Sequence, residues 1–145
     1  MTVLRRLDYV AIAVRDTGEA LAYFRDRLGL EVAHSEELAS PHVRLTYLDA
    51  GNAYLQLLEP LDTAADLARW LDENGEGLHH ICFGVDDVLA AAAELAADGA
   101  APTPGSGRGR VSAFVSGPVE HGVRVECTEF RRADDVDGTP GWLAR

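Results

Sequence analysis

The chain repeats itself, and that repeat constrains the fold more than any other feature. Leu7–Val14 reads LDYVAIAV and Leu78–Val85 reads LHHICFGV, at an offset of 71 residues. Each is an alternating strand pattern followed by a helix-start signal, Asp16-Thr17 in the first copy and Asp86-Asp87 in the second. The first helix is expected over about Gly18–Leu28, burying Leu21, Phe24 and Leu28. The second is expected over about Val88–Ala97, with Val88, Leu89, Ala92 and Leu95 on its apolar face. Gly29 and Gly99 stand where a helix C-terminal cap requires glycine. After each helix the apolar period drops to two. Strands are expected near Leu30–Glu36, Val43–Leu48 and Ala53–Leu58 in the first half. In the second half they are expected near Ala101–Thr103, Arg110–Val115 and Val123–Thr128. Ala50-Gly51-Asn52 reads as a hairpin turn, Gly105–Gly109 as a flexible loop and Pro118–Gly122 as a later turn. Thr63–Glu73 reads as a connecting helix with Leu67, Trp70 and Leu71 buried. The expected fold class is therefore α+β: two βαβββ modules, about 7–60 and 78–130, related by a pseudo-twofold and forming a curved mixed sheet with a cleft. Residues 1–130 are read as one domain and 131–145 as a polar, mobile tail in which Trp142 and Leu143 could dock.

Composition closes off several function classes. All 13 basic residues are arginine. Without lysine there can be no Schiff base, no pyridoxal attachment and no Walker-type phosphate loop. A formal net charge of −11 argues against nucleic acid, which needs a basic face. An anionic ligand would instead need a metal or an arginine cluster at its site. No apolar stretch is long enough to span a membrane, and the first residues run straight into a strand pattern, so the protein is read as cytoplasmic. Cys82 and Cys127 each lie inside an apolar strand pattern and are read as buried free thiols. The absence of CxxC excludes a thiolate zinc site.

The strands send alternate side chains to opposite faces. In Leu78–Val85, Ile81, Phe83 and Val85 make a bulky apolar face opposite His80, Cys82 and Gly84. In Val123–Thr128, Arg124, Glu126 and Thr128 oppose Val123, Val125 and Cys127; in Ala53–Leu58, Tyr54 and Gln56 oppose Leu55 and Leu57. Tyr9 matches His80 at offset 71, and Gln56 matches Glu126 at offset 70. Taken singly, these would be satisfied polar groups on half-buried strands. Matched across a pseudo-twofold they are expected to converge, and Gln56, His80 and Glu126 offer oxygen and nitrogen donors that suit a divalent metal such as Co, Mn, Zn, Ni or Fe.

Several segments carry a resemblance: YVAIAVRD, YFRDRLGLEV, YLQLLEPL, WLDENGEGLHHICFGVDD, PGSGRGRVSAF and HGVRVECTE, in order over about residues 7–130. Here the chain resembles the vicinal oxygen chelate (glyoxalase/bleomycin-resistance/dioxygenase) superfamily, and within it the methylmalonyl-CoA epimerases. The resemblance implies a divalent metal held by a histidine, a glutamine or glutamate, a second histidine and a glutamate, which fall on Tyr9, Gln56, His80 and Glu126. The first ligand is thus a phenol here, and a neutral phenol is a poor ligand. The family's second catalytic acid falls on Leu45, and its His-Pro pair on Ser116-Gly117.

The activity implied is an isomerase: a metal-assisted epimerase that abstracts the proton alpha to a methylmalonyl-CoA-type thioester, with Glu126 as ligand and base. Arg44, Arg108 and Arg110 are candidates for the anionic coenzyme. Glu59 and His79 are read as structural. The alternatives are another isomerase or lyase of the same fold, or a small-molecule-binding, resistance-type protein with a degenerate metal site, to which Tyr9 and Tyr54 would lend aromatic lining. A homodimer is expected, because a sheet edge left open is usually paired or covered.

Overall fold

The computed structural model describes residues 3–96 and 101–130. Two β-α-β-β-β modules follow one another, as the repeat requires. The first comprises β1 (Leu4–Ala13), α1 (Thr17–Leu21, continued by a π-helical segment Ala22–Arg27), β2 (Glu31–Ala39), β3 (His42–Asp49) and β4 (Tyr54–Pro60). After the connecting helix α2 (Asp66–Asn74) come β5 (Gly77–Val85), α3 (Val88–Leu95), β6 (Pro104–Gly107), β7 (Arg110–Phe114) and β8 (Val125–Glu129). The fold is α+β. Among the described residues no helix is long and apolar enough to cross a membrane.

Contacts divide the chain into two compact units whose boundaries are not those of the repeat. One unit is Val10–His79; the other joins the chain up to Tyr9 with the chain from His80 onward. The first strand is therefore split, and its Leu4–Tyr9 half belongs with the second module. In the Val10–His79 unit the hydrogen-bonded order is β2-β3-β4-β1; in the other it is β1-β5-β8-β7-β6.

In the Val10–His79 unit, the expected helix start is a true cap: Asp16 is extended and accepts from the Glu19 amide. Glu59 on β4 reinforces it by accepting from both the amide and the hydroxyl of Thr17 at 3.2 and 2.6 Å, so this glutamate is structural, as expected. Gly29 ends the helical run at φ 82°, where a side chain would be strained. Val14, Leu48 and Leu57 form the buried core, with Ile12, Leu21, Phe24 and Leu55 packed against it. Leu28, expected in that core, is instead exposed, because the helix widens to π geometry over its last six residues and helical spacing no longer aims it inward. β2 pairs with β3 and β3 with β4, both antiparallel; a bulge between Val32 and His34 sets His34 opposite Tyr47. His79 packs edge-on against Trp70 of α2 at 4.8 Å.

In the other unit, Asp87 caps α3 by accepting from the Ala90 amide. Val85, Val88, Ala91, Ala92, Ala113 and Cys127 form its core. Leu89 and Leu95 are exposed: the alanines Ala91 and Ala92 carry the buried face, which needs close approach rather than bulk. The strand expected at Ala101–Thr103 lies instead at Pro104–Gly107, inside the segment read as a flexible loop. Arg108 and Gly109 have φ of 56° and 69°, the two-residue turn that matches the twist of a hairpin, so GSGRGRV folds back as β6–β7 with Gly107 opposite Arg110. Val123 stands outside β8, in an isolated bridge to Glu120. On β5 the small polar face is the buried one: His80, Cys82 and Gly84 are buried, whereas Ile81 and Phe83 are half-buried. Both cysteines are free and buried, as read from the sequence. The Gly99 cap and the 131–145 tail lie outside the described residues.

Candidate active site

Pairing in the second unit builds a compact polar cluster. β5 and β8 run parallel with Cys82 beside Glu126, and β7 runs antiparallel to β8 with Phe114 opposite Glu126. Residues at one level across neighbouring strands share a face, and His80 lies two residues before Cys82 on that same face. Tyr9, from the β1 half that joins this unit, closes the group. Its hydroxyl donates to Glu126 Oε1, and His80 Nε2 stands 3.3 Å from the same oxygen. The imidazole is wedged edge-on between the Tyr9 ring at 5.8 Å and the Phe114 ring at 4.9 Å. Tyr9, His80 and Glu126 are 4%, 5% and 7% exposed. Three of the four positions matched by the repeat are therefore brought together.

The electrostatics follow from burial and neighbours. Burial pushes the Glu126 carboxyl up, but the hydrogen bond and charge of His80, with further bonds from Tyr9 and Cys82, bring it net below the ordinary glutamate range. The same ionised carboxylate acts on the thiols. Cys82 is driven well above its usual value by burial first, then by Glu126 and Asp8. Cys127 is pushed up to about 11 by burial and by Glu126.

Beside this cluster Arg108 donates to Asp8, with side chains only 5% and 6% exposed, and Arg110 Nη1 lies 3.9 Å from the same carboxylate. The Arg108 guanidinium also sits over the Tyr9 ring, 5.6 Å from its centroid. The Asp8–Arg108 pair carries no local signal, being 100 residues apart in sequence.

Gln56 and Arg44 lie in the other unit. Gln56, on β4 and 2% exposed, stands opposite Tyr47 of β3 and donates from Nε2 to the Tyr47 hydroxyl oxygen at 2.7 Å. Its Oε1 is buried with no hydrogen-bond partner among the described residues. Tyr47 was not among the expected site residues, although the hairpin arithmetic reaches it: a turn pairing Asp49 with Tyr54 pairs Tyr47 with Gln56. Arg44 bonds Glu59 at 2.9 Å and Glu37 at 2.8 Å, tying β3 to both its neighbours. Leu45 is buried between Glu36 on β2 and Leu58 on β4.

The donor chemistry suits a divalent cation. Two donors on one ion at about 2.0–2.2 Å stand about 3.0–3.4 Å apart, and the His80–Glu126 separation of 3.3 Å falls in that range. Among the described residues no three His, Cys, Asp or Glu side chains are grouped for a metal.

Comparison with known proteins agrees with this geometry. Residues 8–115 match the profile of the glyoxalase/bleomycin resistance protein/dioxygenase superfamily. The ethylmalonyl-CoA/methylmalonyl-CoA epimerase of Cereibacter sphaeroides is 37% identical over 112 residues, 77% of this chain and 83% of that protein. The human mitochondrial methylmalonyl-CoA epimerase is 38% identical over 93 residues, 63% of this chain and 53% of the human protein. A solved methylmalonyl-CoA epimerase in complex with methylmalonyl-CoA and NH4+ superposes with a TM-score of 0.77 at 34% identity, covering 87% of this chain and 94% of that one.

Proposed function

The chain belongs to the glyoxalase/bleomycin resistance protein/dioxygenase superfamily, and from that premise we propose that it is an epimerase acting by α-proton abstraction on a methylmalonyl-CoA-type thioester. The observation that carries the reading is Glu126, a carboxylate only 7% exposed yet kept ionised by its neighbours. An ionised carboxylate can accept a proton, and a positioned general base contributes roughly 100- to 10,000-fold. In the step, the α-carbon C–H bond breaks, a Glu126 carboxylate O–H bond forms, and the electron pair passes to the thioester oxygen as an enolate. Inversion is completed when the pair returns to carbon as water gives a proton to its opposite face, and Glu126 returns its own proton to solvent. Because Oε1 is taken by the Tyr9 hydroxyl, Oε2 is the oxygen assigned to receive the proton.

His80 and Glu126 are proposed as donors to a divalent cation of the Co, Mn, Zn, Ni or Fe class. Such a cation supplies Lewis-acid stabilisation of enolate charge when bound. Tyr9 is proposed as a hydrogen-bond donor to Glu126 in place of a ligand. Free, buried thiols suit a cytoplasmic enzyme of coenzyme A esters.

Incubation with methylmalonyl-CoA and cobalt or manganese in deuterated water tests the proposal. Deuterium entering C2 with inversion, and its loss in Glu126→Gln, is the expected outcome. No exchange above the enzyme-free rate overturns it. Exchange with retention would favour a second reading, a one-base isomerase or lyase of the same fold. The observation behind that reading is Leu45, a buried side chain with no proton to give, where the resemblance expects an acid.

A further inference from the structure

Arg124 stands at the rim of the polar cluster, in the same unit as Glu126, and takes no part in the proton transfer. Its carbonyl accepts from the Ile81 amide at 3.1 Å, so the ladder that holds β8 extends back to it. Alternation then puts its side chain on the face of Glu126, about 6.6 Å back along the strand. The guanidinium lies over the Phe114 ring, 6.0 Å from the centroid, and that ring is the one packed edge-on against His80. With 24 acidic residues against 13 arginines, an arginine here is readily claimed by an acid: Arg44 is held by Glu37 and Glu59, and Arg108 by Asp8. Arg124 is exposed, and among the described residues it makes no ion pair. An aromatic face supports a guanidinium without neutralising it, so the charge stays available to an anion.

A methylmalonyl-type thioester carries its carboxylate on the reacting carbon itself, one bond from the proton that Glu126 takes. We propose that Arg124 binds this carboxylate and so makes the site select malonyl-type thioesters over acyl-CoA esters with neutral substituents. The inference rests on the reading of the chain as an epimerase with Glu126 as base. A planar guanidinium can hold both carboxylate oxygens at once, which sets the rotation of the α-carbon as well as its distance from the base. The phosphates of coenzyme A are the other anions of the substrate, and they lie at the far end of the pantetheine arm.

Titration calorimetry of the full-length protein, with manganese chloride present throughout, compares malonyl-CoA with isovaleryl-CoA, a neutral ester of nearly the same shape. Arg124→Gln is expected to weaken malonyl-CoA by about 10- to 150-fold, the worth of a hydrogen bond to a charged group. Isovaleryl-CoA is expected to bind as before, which also shows that the variant is folded. Arg124→Lys keeps the charge without the planar fork and is expected to retain part of the preference. Unaltered malonyl-CoA affinity in Arg124→Gln overturns the proposal. Equal weakening of both esters overturns it too. Malonyl- and isovaleryl-pantetheine, which lack every phosphate, then give the reason: a loss that vanishes with them puts Arg124 on the coenzyme phosphates, and a loss that persists makes it structural. If the unmodified protein exchanges deuterium into methylmalonyl-CoA and Arg124→Gln keeps the malonyl preference, only this inference falls. If the unmodified protein shows no exchange, the epimerase reading falls and this inference with it.

Discussion

Tyr9→Phe removes one hydroxyl, which bonds Glu126 and also lies in hydrogen-bond contact with Cys82. The ring stays, and with it the edge contact to His80 and the guanidinium of Arg108 above it; only the hydroxyl that donates to Glu126 is removed. A hydrogen bond to a buried charged group is worth about 1.5–3 kcal/mol. In a chain of this size that corresponds to a fall in melting temperature of about 5–10 °C. The pH dependence identifies the source. The groups facing Glu126 are His80, Tyr9 and Cys82, and their balance against burial sets the folded carboxyl below its ordinary value. A depressed carboxyl contributes stability that is present above its unfolded pKa, about 4.3, and lost as pH falls through the folded pKa. Urea unfolding of metal-free protein, followed from pH 8 downward, should therefore show a gap between parent and variant that is full at neutral pH. It should close below the ordinary glutamate range. A gap of constant size across that series would mean that the hydroxyl acts through packing and that Glu126 is not its partner.

Other outcomes follow from the same geometry. Tyr9→His exchanges a hydroxyl that donates to Glu126 for an imidazole nitrogen, and cobalt or manganese affinity should rise by at least the roughly 10- to 100-fold seen for weaker, indirect effects on metal sites; unchanged affinity in calorimetry would separate Tyr9 from the cation site. Cys82 and Cys127, both fully buried, one pushed well up and the other to about 11, should resist a disulfide reagent at pH 8 until urea unfolds the chain; prompt native reaction would contradict their burial. β2 is a nine-residue strand at the end of its hydrogen-bonded order, and long open edges are normally paired or covered, so light scattering at micromolar concentration should report a homodimer; a monomer would refute this.

The repeat made the module order legible because two copies of one pattern test each other: strand, capped helix and three strands recur with Asp16 and Asp87 at the caps. It also singled out Tyr9, His80 and Glu126 by matched offset, and these three do share a cluster. What it missed was set by features without a period. GSGRG looks like a loop because glycine and serine lack strand propensity, yet the positive φ of Arg108 and Gly109 makes it one arm of a hairpin. Leu28 followed helical spacing into solvent because the helix changes to π geometry beneath it. The division of β1 between two units depends on which strands pair, and alternation within one strand holds no trace of that.

If Glu126 is a cation donor, as proposed, Tyr9 and the cation compete for the same oxygen. Glu126 Oε1 accepts from the phenol and faces His80 Nε2 at the separation two donors on one ion would have. The phenol therefore stabilises the metal-free protein with the bond that metal binding must give up. At about 1.4 kcal/mol per tenfold, a bond of about 1.5–3 kcal/mol lowers affinity by about 10- to 150-fold relative to an otherwise identical site without it. Removing the hydroxyl should then move two observables in opposite directions. Tyr9→Phe should be less stable without metal and should bind cobalt or manganese more tightly, the gain in affinity converting to about the same free energy as the loss in stability. A purely structural tyrosine predicts that both fall together, since a loosened cluster holds His80 and Glu126 less well. Calorimetry and metal-free melting on the one variant decide between them, and a joint fall would remove the case for Glu126 as a shared partner of phenol and cation.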